Sequence, residues 1–304
     1  VRLAADRVRV RVPATSANLG PGYDAMGLAL GLYDEVEVTT TASSQIVVEV
    51  AGECAGQLPA GARHLVAATI LDTMDEVGVS RTGLHLRCTN VIPHGRGLGS
   101  SAGAVVAGIL AVRGLISEPD ALDDDRVLEL ATRREGHPDN AAPAILGGLT
   151  LAWLPGPRAV PLTLHDAIRP VVAVPPTRLA TVTARKVLPE KVPHVDAAFQ
   201  LSRAALLVEA LGRRPELLFE ATEDRLHQEQ RRSVMPDSLA LVDALRRRGV
   251  PAVVSGAGPT VLALGVDGQV DAQAAMAEVF GGVLGGWQIL VPPVDRTGGT
   301  VERF

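Results

Sequence analysis

Residues 93–108, PHGRGLGSSAGAVVAG, set Gly95, Gly97 and Gly99 before Ser100 and Ser101 at the start of an apolar run. Alternate glycines strip a turn of side chains, and the two serines fall where the cap and first turn of a helix are expected. The unpaired N–H groups of such a turn, the positive end of the helix dipole and the hydroxyls together make an anion site suited to phosphate. Taken alone, the same letters also describe a capped turn that binds only water. Other phosphate motifs can be excluded by letters. A P-loop needs Gly-Lys-Ser/Thr, and the two lysines, Lys186 and Lys191, stand far from any glycine loop. A dinucleotide fingerprint needs GxGxxG after the first strand, whereas GRGLGSSAG has another spacing and sits in mid-domain. HRD with a downstream Asn and DFG, the protein-kinase signatures, are absent.

Two further loops carry polar groups between glycines. PATSANLGPGYDAMGLAL, residues 13–30, offers the amide of Asn18 and the carboxylate of Asp24 on one turn. SGAGPT, residues 255–260, joins two short apolar strands. A strand connection capped by Asp24 and a glycine hairpin account for each in isolation. Three such loops in one chain are harder to dismiss as structural turns alone.

The elements that must position these loops alternate along the chain. Strands are expected near residues 7–12, 35–41, 45–50 and 84–91, and helices near 65–76, 104–115 and 123–134. The last of these runs from Asp/Glu to Arg, as the helix dipole favours. GHPDNAAPAILGGLT gives a short helix and a return strand. After Leu162 the pattern restarts through Pro170 and Pro175-Pro176. It continues with a strand at 171–174, helices at 197–211, 239–248 and 271–280, a strand pair around SGAGPT and a strand at 288–291. Mixed strands and helices in both halves give an α+β fold, with α/β as the alternative, and domains at 1–165 and 166–304.

Composition narrows the partners. The 304 residues carry a net charge of -5 with dispersed arginines, so a nucleic-acid partner is not expected. Hydrophobic residues at 47% and aromatics at 3% imply a core of Val, Leu, Ala and Ile. Cys54 and Cys88 lack disulfide or zinc spacing and suit a reducing cytoplasm. Apolar stretches at 102–116 and 141–154 fall short of the roughly 20 residues that span a bilayer, so no membrane partner is expected. RVRVRV at residues 7–12 has the period of a strand rather than of an export signal.

Together the three loops resemble, in order, the motifs of the GHMP kinases. SANLGPGYDAMGLAL, GRGLGSSAG, EGHPDNAAPAILGG, TARKVLP and SGAGPTVLAL are most similar to the homoserine kinases within that superfamily. The resemblance implies a two-domain GHMP kinase fold, with an N-terminal ATP-binding domain and a C-terminal ferredoxin-like domain around one active site. It implies ATP-dependent phosphorylation of the L-homoserine side-chain hydroxyl, a step of threonine biosynthesis, with Mg²⁺ as cofactor and often a homodimer. Pro93, Gly95, Arg96, Gly97, Leu98, Gly99, Ser100 and Ser101 then match the phosphate loop, and Ser101 and Glu135 the magnesium site. Asn18 and Asp24 match positions at the amino and carboxylate end of the substrate, and Asn140 one near the attacking hydroxyl. Arg185, Arg231 and Thr181, with Gly256 and Gly258 of the third loop, complete the implied substrate set. Catalysis is assigned to Asn140, Glu135 and Ser101, with no strong carboxylate base, because Asp139 beside Asn140 is expected to point elsewhere.

The chain departs from the family pattern at Glu229-Gln230, where Pro-Tyr is usual, and this makes Arg232 a competitor of Arg231. Ala141 stands where Val is usual. The adenine pocket is expected between the helix at Leu65 and the strand before Pro93. A kinase of another small alcohol such as mevalonate, and a catalytically silent nucleotide sensor, are the alternatives.

Overall fold

The computed structural model describes residues 1–280 and 285–304. The chain opens with β1 (Arg7–Ala17), β2 (Met26–Thr41), β3 (Ile46–Gly52), α1 (Leu65–Glu76) and β4 (Gly83–Asn90). It continues with α2 (Ser100–Leu115), α3 (Asp124–Glu135), α4 (Ala141–Leu146), β5 (Leu149–Trp153) and β6 (Arg158–Leu162). In β1, Val8, Val10 and Val12 are buried while Arg7 and Arg11 are exposed, which is the alternation read from the sequence. From Val12 onward every side chain of β1 is buried. The register against β2 shifts between Pro13 and Ala14, a bulge that accommodates proline and redirects the strand end. The glycine loop of residues 95–99 covers that end, with Thr15 N donating to the Leu98 carbonyl at 3.1 Å. Helix α2 is buried nearly all round, with Val105, Val106, Ile109, Leu110 and Val112 packed among β1, α1 and α3.

The second half contributes β7 (Ile168–Val174), α5 (Thr181–Lys186), α6 (His194–Gly212), α7 (Leu218–Ala221), α8 (Pro236–Arg246), β8 (Ala252–Val254), β9 (Val261–Val266), α9 (Ala272–Phe280) and β10 (Gln288–Leu290). Its four strands form an antiparallel sheet in the order β10-β7-β9-β8. With helices between β7 and β8 and between β9 and β10, this is a ferredoxin-like β-α-β-β-α-β unit. Leu19, Leu28 and Leu98 of the first half share one apolar cluster with Val172, Val253 and Leu262 of the second.

Strand β11 (Thr300–Arg303) pairs antiparallel with β1, and Val294 bridges to Leu30. The tail therefore completes the first sheet, although a division at residue 165 assigns it to the second domain. Four residues are too few to show a period, and the partner that demands them is an otherwise open edge of β1. Asp295 fastens the crossing, accepting from Tyr33 Oη–H at 2.8 Å and from the N–H groups of Thr297 and Gly298. β6 and α5 likewise lie outside the elements read from the sequence.

The third loop lies on the backs of the other two. Gly256 N donates to the Ala17 carbonyl at 3.0 Å and Thr260 N to that of Arg96 at 3.1 Å. Ser255 Oγ donates to the Gly97 carbonyl at 2.6 Å and lies 2.7 Å from Ser16 Oγ. Gly97 has φ +80°, and a Cβ there would collide with the carbonyl oxygens of Ser255 and Gly258. Gly97→Ala is therefore expected to destabilise by about 2 kcal/mol or more, from left-handed strain plus the collision. A denaturation midpoint within error of the wild type would refute the tight packing of these loops.

Candidate active site

Helix α2 starts at Ser100 with Gly99 as its cap, at φ +71° and with no side-chain cap bond. The serines are thus the first two helical residues rather than the cap. Gly95, Gly97 and Gly99 all have positive φ, an alternation that turns successive amides toward one concave side. The first helical hydrogen bond reaches Gly99 O from Gly103 N at 2.8 Å, so the N–H groups of residues 100–102 remain for a ligand. A cavity of about 340 Å³ is lined here by Gly95, Gly97, Gly99, Ser100 and Ser101. Pro93, Arg96 and Leu98, expected in the phosphate set, do not line it. Leu98 is an anchor in the apolar cluster between the sheets, and Arg96 reaches toward the Pro176 carbonyl. The loop alternates, with glycines facing the cavity and the intervening side chains facing away.

Glu135 ends α3 on the rim of the same cavity, and its Oε1 accepts from Ser101 Oγ–H at 2.9 Å. Among the described residues no group of three His, Cys, Asp or Glu side chains could hold a metal by itself. One hydroxyl and one carboxylate fit a hard divalent cation that takes its other ligands from phosphate oxygens and water.

Behind Ser100 and Ser101 a second cavity of about 310 Å³ is lined by Val12, Val36, Leu65, Val66, Ala104 and Ala107. His64 also lines it, 4% exposed, with Nδ1 lacking a hydrogen-bond partner among the described residues. Burial holds this imidazole below its usual pKa, in the neutral form. Apolar walls together with polar lining from His64, His94, Asp34 and Asn90 suit a heteroaromatic group. The cavity lies where the sequence reading set the adenine pocket.

At the far end of the first cavity stand Arg185 and Arg231. Arg231 is 1% exposed; its Nε donates to the Ala184 carbonyl at 3.1 Å and its Nη1 to His227 Nδ1 at 2.8 Å. His227 Nε2–H donates to the Gly20 carbonyl at 2.8 Å, and burial holds the ring neutral, so Nδ1 is free to accept. Nη2 of Arg231 makes no hydrogen bond among the described residues. Arg232 is occupied elsewhere, bound by Glu229 at 2.7 Å and by Asp243 at 3.0 Å. The departure at Glu229 therefore removes the competing arginine instead of displacing Arg231.

Asp24 does not line the cavity, because its carboxylate grips Arg185 through two hydrogen bonds of 2.6 and 3.1 Å. Tyr23 Oη accepts from the same guanidinium at 3.0 Å, and the Tyr23 ring lies 5.6 and 5.7 Å from the Arg185 and Arg231 carbons. Tyr23 is thus a spacer between two cations that the sequence reading missed; its only signal was an aromatic in a glycine turn. Asn18 lines the cavity, yet its Nδ2 donates to the Gly256 carbonyl and its Oδ1 accepts from Asp24 N. Its amide holds together a turn in which Asn18, Leu19 and Asp24 all have positive φ. Thr181, Gly256 and Gly258 line the cavity as expected.

Asp139, expected to point elsewhere, also lines the cavity at 2% exposure. Residues 137–140 form a turn rather than a strand, so neighbours can share a side. His137 Nδ1–H donates to Asp139 Oδ1 at 2.6 Å, and Asn140 Nδ2 lies 3.4 Å from the same oxygen. The bond to Asp139 raises the His137 pKa.

Models of the "GHMP kinases N terminal domain" and "GHMP kinases C terminal" match residues 64–148 and 202–281, which places this glycine-rich helix start and ferredoxin-like unit in the GHMP kinase class. Homoserine kinase of Streptomyces avermitilis is 56% identical over 273 residues, 89% of either chain. That of Clavibacter michiganensis is 49% identical over 300 residues, covering 97% of this chain and 94% of its own. The crystal structure of homoserine kinase from Cytophaga hutchinsonii, at 26% identity, superposes with a TM-score of 0.86 over 98% of both chains. The chain belongs to the homoserine kinase family.

The His137–Asp139 pair yields a pH test. A histidine whose folded pKa lies above its unfolded value of about 6.5 adds stability that is full below that pH and is lost as pH rises through the folded value. His137→Asn is expected to lower the Tm at pH 6 by about 2–4 °C, with the difference shrinking by pH 9. Equal losses at both pH values would show that the pair carries no extra proton.

Proposed function

We propose that this chain transfers the γ-phosphoryl group of ATP to the side-chain hydroxyl of L-homoserine, giving O-phospho-L-homoserine for threonine biosynthesis. The family relationship supports this reading, and Arg231 carries it. A cation 1% exposed with no carboxylate partner among the described residues needs an anion, since an unpaired buried charge is costly. The carboxylate of an amino acid supplies that anion, and the Nη2 end of the guanidinium fork, without a partner among the described residues, can donate to it. Arg185 and Thr181 stand beside it. The ammonium group meets the buried carboxylate of Asp139 and the remaining lone pair of Asn18 Oδ1, with Asp24 behind Arg185. Mevalonate has no ammonium group for these acceptors.

The adenine occupies the cavity of His64 and Leu65, and the phosphates cross Gly95–Ser101 into the first cavity. Ser101 and Glu135 would hold Mg²⁺, which neutralises phosphate charge when bound. The substrate hydroxyl oxygen bonds to the γ-phosphorus in line, the bond from phosphorus to the bridging oxygen breaks, and the hydroxyl proton leaves to phosphate or water. Amides of residues 95–102 hold the phosphates, Arg185 and Arg231 hold the acceptor, and Asn140 stands at the hydroxyl. Positioning and charge stabilisation carry the rate. A silent sensor would need the phosphate loop but not the convergence of Glu135, Asn140 and Arg231 on one cavity. The reaction is placed in the reducing cytoplasm, consistent with Cys54 and Cys88 as buried free thiols. A homodimer is the assembly expected from the family.

ADP release with ATP and Mg²⁺ is expected with L-homoserine and not with D-homoserine, L-serine or mevalonate; preferential turnover of mevalonate would overturn the pocket. Arg231→Lys is expected to raise the KM for L-homoserine by about 10–100-fold and leave the KM for ATP unchanged, because it keeps the charge and loses the fork. Arg232→Ala, on the surface, should leave both within about twofold.

A further inference from the structure

The Asn140 amide is held from both ends. Its Nδ2 lies 3.4 Å from the Asp139 carboxylate, which only accepts, and its Oδ1 lies 2.9 Å from Thr15 Oγ1. A carboxylate on one side fixes the NH₂ end toward Asp139, so the carbonyl end faces Thr15 and the Thr15 hydroxyl must donate. Thr15 is itself locked. It is 1% exposed, follows the bulge of β1, and its N–H donates to the Leu98 carbonyl of the phosphate loop. Gly99 has no Cβ where one would strike this hydroxyl, so the phosphate loop, Thr15 and Asn140 meet in van der Waals contact.

We propose that Thr15 is a positioning residue that sets the amide of Asn140 so that the second N–H of Nδ2, rather than the carbonyl, faces the reacting oxygens. One hydroxyl then ties the register of the phosphate loop to the group beside the acceptor hydroxyl. Without that donor the amide can turn over, presenting a lone pair to an electron-rich phosphoryl group. Thr15 acts through Asn140 and touches no substrate.

The inference rests on the proposed placement of Asn140, and the test separates the two. Steady-state kinetics with ATP and L-homoserine are measured for wild type, Thr15→Val, Thr15→Ala, Thr15→Ser, Asn140→Ala and the double variant Thr15→Val/Asn140→Ala, with thermal melts of each. Thr15→Val and Thr15→Ala are expected to lower kcat by about tenfold, the rate equivalent of one buried hydrogen bond, with both KM values within about threefold. Thr15→Ser, which keeps the donor, restores kcat. In the Asn140→Ala background, Thr15→Val should add nothing further to the loss in kcat. Additive losses in the double variant, or unchanged kcat in folded Thr15→Val and Thr15→Ala, would overturn the positioning role. If Asn140→Ala itself keeps wild-type kcat, the placement of Asn140 fails first, and the role assigned to Thr15 fails with it.

Discussion

The site depends on a seam where main chain meets main chain. Gly97 lies against the carbonyl groups of Ser255 and Gly258, while residues 256 and 260 donate to the carbonyls of Ala17 and Arg96. Side chains would hold these loops apart; their absence lets three segments from distant parts of the chain share one geometry. The apolar cluster of Leu19, Leu98, Val253 and Leu262 seals the same junction from beneath. The three glycine loops therefore cannot shift independently, a rigidity that catalysis by positioning requires.

Charge is arranged on this frame unevenly. Asp24 and Tyr23 compensate Arg185, and Glu229 and Asp243 compensate Arg232. Arg231, the most buried of the three, has among the described residues only the Ala184 and Gly256 carbonyls and a neutral imidazole as partners. Neutral acceptors hold a guanidinium in place without cancelling its charge, so its positive field extends into the cavity it lines. Asp139 shows the opposite arrangement. Its buried carboxylate accepts from His137 and lies within reach of the Asn140 amide, so its acceptor is already occupied.

Much of this was legible in the letters. The glycine alternation of residues 95–99 announced the positive-φ turn into α2, and the period-two pattern of residues 7–12 announced β1, because both are local properties of the backbone. Which side chains of the loop face the ligand was less legible: Arg96 and Leu98 are ordered by packing with the second half of the chain. That Asp24 does not line the cavity while Asp139 does was illegible for a similar reason. Only the fold shows that Arg185, 161 positions away, claims the first, or that a turn brings the second beside its neighbour. Thr15 and His64 carried no sequence signal, since a threonine in a strand and a histidine before a helix are ordinary.

The crossing of the tail has a consequence for biosynthesis. β11 fills the edge of β1, and Asp295 anchors the crossing to Tyr33. A chain emerging from the ribosome therefore exposes an open β1 edge while the ferredoxin-like unit, whose strands lie between residues 168 and 290, can already close on itself. The order of completion is inverted relative to the order of translation. The first sheet to be synthesised is the last to be finished, and in the interval its unpaired edge is the surface that a chaperone has most reason to shield.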